Sequence, residues 1–197
     1  MFQQEIGEIY RLKIPFDNLY TSVFMIKNEK GNILIDTATT DKDVDEWIVP
    51  GLAQMGLTLL DIKHLVLTHN HSDHTGGLNR ILMLNPNLHI VVNIGEKLPI
   101  GFSLCALKGH TLDCIGVLDE RSGTLISGDG LQGAGLGKYR CSLEDKEEYI
   151  RTINNLTEDK RIENILFSHA YEPWYKDEAI GRRMVEKVLD DCIRLSK

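Results

Sequence analysis

The chain has 197 residues and a mass of 22.3 kDa, enough for one domain that buries about 70% of its unfolded surface. Its 42% hydrophobic and 26% charged content argues against a disordered or fibrous protein, and its formal charge of −7 argues against a general binder of nucleic acid or anionic membrane. No apolar run approaches the roughly 18 residues of a membrane span, and the opening Met1-Phe2-Gln3-Gln4-Glu5-Ile6 lacks the basic start and apolar core of a signal peptide, so the expected location is cytoplasmic.

In chain order, Ile6 to Ile14 and Tyr20 to Lys27 are rich in β-branched and aromatic residues and predict strands. The turn Asn28-Glu29-Lys30-Gly31 leads into Asn32 to Asp36, completing an expected antiparallel meander. Asp36 is either a turn-capping residue or an acceptor that orients a metal ligand. Asp41 to Gly56 places Val44, Trp47, Ile48, Leu52 and Met55 at helical spacing. Asp41 is the expected N-cap, Pro50-Gly51 an expected break or restart, and Trp47 and Met55 expected core residues. Asp61 to Thr68 predicts a strand, Thr75 to Leu84 a helix and His89 to Asn93 another strand.

Short strands are expected at 102–108, 115–118 and 124–127, with Arg121-Ser122-Gly123 as a hairpin tip. Ser142 to Leu156 predicts an acidic amphipathic helix, Asn164 to Ser168 a strand, and Asp177 to Leu195 a closing helix with Ile180, Met184, Val188 and Leu189 on one face. Two successive rounds of strands and helices predict an α/β (α+β) chain with two sheets between helices, and the 197 residues are read as a single domain. Cys105, Cys114, Cys141 and Cys192 form no CxxC pair and are expected to act as small apolar residues.

Residues 69 to 74 read His-Asn-His-Ser-Asp-His. Three imidazoles and a carboxylate in six residues are costly to bury and serve no purpose clustered on a surface, but they suit zinc and its first-row neighbours. The run joins an apolar strand to a helix opening, and Gly76-Gly77 behind it allow close backbone approach. Three further apolar runs end in ligand types, at His110, Asp129 and His169, while His64 and His89 fit no such pattern and are assigned to packing or surface.

With these motifs in order, the chain resembles the metallo-β-lactamase-fold hydrolases from about residue 18 to residue 170. Asp36 matches the aspartate after the early strand, His69 to His74 the HxHxDH loop, and Gly109-His110-Thr111 the GHT turn. Asp129 matches the bridging aspartate and His169 the final histidine. The resemblance implies a four-layer αββα sandwich and two divalent metal ions, zinc first, with iron or manganese as alternatives. It implies His69, His71 and His110 on one ion, Asp73, His74 and His169 on the other, and Asp129 between them. Two ions bring +4 against −2 from Asp73 and Asp129, a surplus that stabilises a bridging hydroxide near neutral pH. Asp73 and Asp129 are the expected catalytic carboxylates, and Asp36 the expected support of a ligand.

The loop from Ser127 to Tyr139 is similar to that of glyoxalase II-type thioesterases, where a lysine at the Lys138 position helps bind the carboxylates of the thiol carrier. Leu136 replaces a cysteine common in that loop, Arg140 replaces an aromatic residue, and a separate helical substrate domain is not expected in these 197 residues. Lactone-hydrolysing relatives often carry a tyrosine three residues after the bridging aspartate, where this chain has Gln132. The expectation is a hydrolase of a small ester, thioester or related molecule, with no nucleic-acid or membrane partner. The alternatives are a mononuclear iron persulfide dioxygenase-like enzyme and a metal-binding sensing module without turnover.

Overall fold

The structure is a computed structural model that describes residues 1–132, 143–170 and 176–196. The chain forms two compact units, Met1–Val92 and Asn93–Lys197.

The first unit is built on a six-stranded sheet in sequential order. Its strands are β1 (Gln3–Gln4), β2 (Ile9–Phe16), β3 (Leu19–Ile26), β4 (Asn32–Ile35), β5 (Ile62–Val66) and β6 (His89–Val91). The expected meander is present, with β2, β3 and β4 antiparallel. Asp17, at φ 48°, turns the first hairpin, and Gly31, at φ 140°, precedes β4. Alternation aims Leu12 and Ile14 of β2, and Val23 and Met25 of β3, into one buried cluster.

Helical residues packing on that cluster join β4 to its parallel neighbour β5. They comprise α1 (Asp41–Asp43), a wide π turn at Val44–Ile48, and α2 (Val49–Gln54). Thr40, not Asp41, is the N-cap, because Thr40 and Asp43 satisfy each other's backbone N–H groups in a capping box. Pro50 sits in the first turn of α2, but the backbone stays helical through Ile48 and Val49, so the expected break does not occur and the π turn passes directly into α2. Val44, Ile48 and Leu52, spaced by four, are fully buried, which leaves Trp47 at the margin and 36% exposed rather than in the core. Two short helices follow β5, α3 (Ser72–Thr75) and α4 (Leu78–Leu84). The helical turn thus begins inside the histidine motif, three residues earlier than expected.

The second unit holds a five-stranded sheet. Its meander is β7 (Phe102–Ala106), β8 (Ile115–Asp119) and β9 (Thr124–Ile126), with Gly123 at φ 64° in the expected hairpin tip. Helix α5 (Lys146–Glu158) precedes β10 (Asn164–Leu166), which runs parallel to β9. Asp145 caps α5 by accepting from the Glu148 N–H at 2.9 Å, and the expected start at Ser142 lies outside the described residues. The closing helix α6 (Arg182–Ser196) begins later than Asp177. Residues Glu178–Ile180 instead form β11, an edge strand paired with β10, and Gly181 at φ 83° breaks strand from helix. Ile180 is therefore 47% exposed on a sheet edge and does not join the helix face, whereas Val188 and Leu189 are buried. Arg182 donates to the carbonyls of Thr157, Asp159 and Ile162, closing the end of α5.

Cys105, Cys114 and Cys192 are free thiols, each pushed up to about 11 by burial, as expected of packing residues. Cys141 lies outside the described residues. Among the described residues, no helix is long and apolar enough to cross a membrane.

Candidate metal-binding site

Seven residues offer donor atoms in groups that could hold a metal ion: His69, His71, Asp73 and His74 in the first unit, and His110, Asp129 and His169 in the second. These are the ligand-type residues singled out in the sequence. Lys138 lies outside the described residues.

In the first unit the arrangement grows from the parallel pair β4 and β5, whose last residues Ile35 and Val66 face each other. The chain leaves both strands at the same edge, and the Asp36 N–H donates to the Val66 carbonyl at 2.9 Å. Asp36 is fully buried. Its Oδ1 accepts from the Thr68 N–H at 2.8 Å, and its Oδ2 accepts from the Thr68 hydroxyl at 2.8 Å. His74 Nδ1 stands 2.7 Å from that same Oδ2. With Nδ1 committed to a carboxylate, Nε2 is the ring nitrogen left to bind a metal.

The loop after β4 is strained, with Asp36 at φ 64° and Ala38 at φ 62°. It is held by the turn that carries the histidines. Thr37 donates to the His74 carbonyl twice, from N–H at 2.7 Å and from Oγ1 at 3.0 Å, and the Gly76 N–H reaches Ala38 O at 3.0 Å. A Cβ on Gly76 would stand 1.8 Å from Thr39 O, and one on Gly77 would stand 2.4 Å from Thr37 O. The close approach read from the two glycines is therefore real. Thr21 on β3 adds a bond from its hydroxyl to Asp73 O at 3.1 Å.

His69 and His74 are buried, while Asp73 keeps 15% of its side chain exposed. His69 Nε2 and His71 Nδ1 are 3.0 Å apart, and His74 Nε2 lies 3.4 Å from Asp73 Oδ2. Two nitrogens bound to one zinc at about 2.05 Å in tetrahedral geometry stand about 3.3 Å apart, so this spacing fits ligands of a common ion.

In the second unit a parallel pair again sets the placement. Ile126 of β9 faces Leu166 of β10, the Ser127 N–H donates to Leu166 O at 3.0 Å, and Asp129 and His169 follow at the same edge. Asp129 Oδ1 is 3.2 Å from His169 Nε2, and its Oδ2 is 3.9 Å from His110 Nε2. All three are buried, so one carboxylate presents its two oxygens to two different imidazoles. The His110 turn is pinned by Glu144 N–H on His110 O and Asp145 N–H on Gly109 O, both at 3.1 Å. Gly109, at φ 130°, packs so closely on Tyr149 that a Cβ would fall 2.3 Å from the tyrosine Cβ. The Thr111 hydroxyl donates to Asp113 Oδ1 at 2.5 Å and lies 3.0 Å from Cys114 Sγ, which accounts for Cys114 as a packing partner of this turn.

Residues 17–104 match the Metallo-beta-lactamase superfamily family model. The chain carries a metallo-beta-lactamase superfamily domain. Over 98% of its length it superposes on a metallo beta lactamase from Erythrobacter litoralis with a TM-score of 0.74, at 20% identity and covering 96% of that chain. The two mixed sheets with their helices are therefore the metallo-β-lactamase fold. A hydroxyacylglutathione hydrolase of Vibrio cholerae is 27% identical over 198 residues, covering 88% of this chain and 74% of that protein. A lactamase-like protein of Aspergillus niger, adaB, is 28% identical over 166 residues, covering 74% of this chain. The chain spans about half the length of that relative, 51%.

Sequence reasoning missed the three threonines Thr21, Thr37 and Thr68, which tie the histidine-bearing turn to its surroundings. Thr37 and Thr68 each adjoin a motif residue, Asp36 and His69. That adjacency is the signal that could have found them.

Proposed function

We propose that this protein is a metal-dependent hydrolase of a small ester or thioester, using two divalent ions, zinc first. The observation that carries the reading is the donor pattern at the strand ends. One unit aims His69 and His71 nitrogens within 3.0 Å, and the other divides a single buried carboxylate, Asp129, between His110 and His169. Neutral imidazole and carboxylate are the donor set that zinc prefers, and burial gives them little other use. His69, His71 and His110 would hold one ion, Asp73, His74 and His169 the other, with Asp129 shared. Divalent ions bound there supply Lewis acidity toward the scissile carbonyl and acidify a water to near neutral pH.

The protein's own groups do the rest. Asp36 keeps the proton of His74 on Nδ1 and so presents Nε2 as a ligand. Asp73, the most exposed of the buried site's carboxylates, accepts a hydrogen bond from the attacking water and orients its lone pair toward the carbonyl carbon. A thioester suits this arrangement because a thiolate leaves without needing a strong acid to protonate it. The Vibrio cholerae relative, whose name gives a glutathione thioester as substrate, supports that choice. In this reading Lys138 contributes a cation for the carrier's carboxylates.

The test joins elemental analysis with a substrate panel of thioesters, lactones and phosphodiesters. The expected result is two ions per chain, loss of one on His169→Ala, and turnover of thioesters above the other classes. A count that settles at one ion with none lost in the variant, or a panel without hydrolysis, would overturn the proposal.

A further inference from the structure

Gln132 is the third residue after Asp129 and is only 4% exposed. Neither its Oε1 nor its Nε2 has a hydrogen-bond partner. Among the described residues no other buried amide is left in this state. The backbone around it is well tied. The Gly130 N–H donates to Ser127 O at 3.1 Å, and Leu131 is fully buried in the core cluster of its unit. The anchored loop thus holds an amide whose donor and acceptor are both unmatched, although a methionine would fill similar volume without that cost. A buried polar group without a partner requires an explanation beyond packing.

Three peptide units span at most about 11 Å, so Gln132 Cα lies within the length of a small thioester from Asp129 Cα. A side-chain amide presents an acceptor and a donor side by side, and its natural complement is another amide. We propose that Gln132 is a substrate-binding residue that pairs with a secondary amide in the thiol arm of the substrate, beyond the sulfur. The inference rests on the hydrolase reading above and narrows its substrate to amide-bearing thioesters. Two arm chemistries carry such a group, an acylated cysteamine and a cysteine-containing peptide.

The experiment compares wild-type and Gln132→Met protein, both metal-loaded, on the acetyl thioesters of N-acetylcysteamine, glutathione and butanethiol. Binding of the corresponding S-propyl thioethers, which cannot be hydrolysed, is measured by calorimetry alongside. Loss of a neutral paired contact predicts a rise of about tenfold in KM and in thioether Kd for at least one amide-bearing arm. The kcat should stay within about twofold, and the butyl arm should be unchanged, because the contact is the same in ground and transition states. A loss on glutathione alone assigns the site to the peptide arm, and one on both amide arms to the amide itself. Equal losses on all three arms, or no loss anywhere together with a raised Tm, would overturn the inference and leave Gln132 a loop-packing or water-holding side chain. If the wild type hydrolyses none of the three, the hydrolase reading falls, and the thioether Kd values still decide whether Gln132 recognises an amide.

Discussion

Asp36→Asn tests the link between a hydrogen bond and a metal site through the tautomer of one histidine. Asp36 Oδ2 faces both His74 Nδ1, at 2.7 Å, and the Thr68 hydroxyl, at 2.8 Å. As a carboxylate it can only accept, so His74 carries its proton on Nδ1 and offers the Nε2 lone pair. An asparagine in the same rotamer keeps Oδ1 on the Thr68 N–H and puts an NH₂ where Oδ2 stood. That NH₂ donates to His74 Nδ1, which must then accept, and the ring proton moves to Nε2, the atom a metal needs. Asparagine tolerates the φ of 64° at this position as well as aspartate does. The metal-free protein should therefore lose no more than about 2 kcal/mol, since shape and most contacts survive. Metal affinity should fall roughly 10- to 100-fold, the usual cost of losing an outer partner of a histidine ligand. Chelator competition measures the affinity, and urea denaturation of the metal-free protein measures the stability. The reasoning fails if the variant folds normally and binds its metal as tightly as wild type. Asp36→Ala is the harsher comparison, because it strands the buried Thr68 N–H and His74 Nδ1–H at about 1–3 kcal/mol each.

Gly76→Ala should destabilise the protein by about 3 kcal/mol or more in urea denaturation, since its Cβ would stand 1.8 Å from the backbone oxygen of Thr39. Gly95→Ala, which meets nothing within 4 Å, should shift stability by less than about 1 kcal/mol, and similar losses in the two would refute the packing argument. Burial first, and His89 second, hold His64 below its usual value, so the unfolded chain takes up this proton at a higher pH than the folded one. The stability that His64 contributes is complete above about pH 6.5 and is lost as pH falls from there through the lowered value. The Tm difference between wild type and His64→Gln should therefore move against the wild type between pH 7.5 and pH 5.5 in metal-free protein, and a constant difference would show that His64 is not the group concerned.

The parts of the fold most legible in the sequence were those written in short-range pattern. The meander of β2 to β4 follows from alternation and from Gly31, and the hairpin tip at Gly123 from its turn residues. Elements fixed by distant partners were less legible. Glu178–Ile180 continues the helical pattern of α6, yet it forms β11 because β10 has an open edge to pair with. Trp47 carries the right spacing for the core but sits within a π turn that sequence periodicity does not reveal. The N-cap moved from Asp41 to Thr40 because the reciprocal bond with Asp43 satisfies two N–H groups where Asp41 would satisfy one. Among the candidate site residues, the histidines and aspartates were legible because their chemistry is unusual in an apolar setting. The threonines that hold them were not, since a threonine beside a strand end has many ordinary uses.

Both units place their chemistry by the same structural rule. In each, antiparallel pairs form the greater part of the frame, while a parallel pair carries most of the ligand-type residues, β4 with β5 in one and β9 with β10 in the other; His110 instead follows β7, the end strand of an antiparallel meander. Parallel neighbours end at the same edge, so the residues that follow them emerge side by side, whereas antiparallel neighbours would send them to opposite edges. Asp36 and Thr68-His69 emerge together in this way, as do Asp129 and His169. A parallel pair requires a crossover long enough to turn the chain around, and here the crossovers are the α1–α2 segment and the segment containing α5. The helices therefore have a role beyond covering the sheets. They make possible the strand direction that gathers carboxylates and imidazoles at one edge, and α1–α2 also contributes Val44, Ile48 and Leu52 to the core beneath it. Substitutions in those helices should act on the site through stability alone. Substitutions in the loops just past β4, β5, β9 and β10 should separate binding of metal from folding.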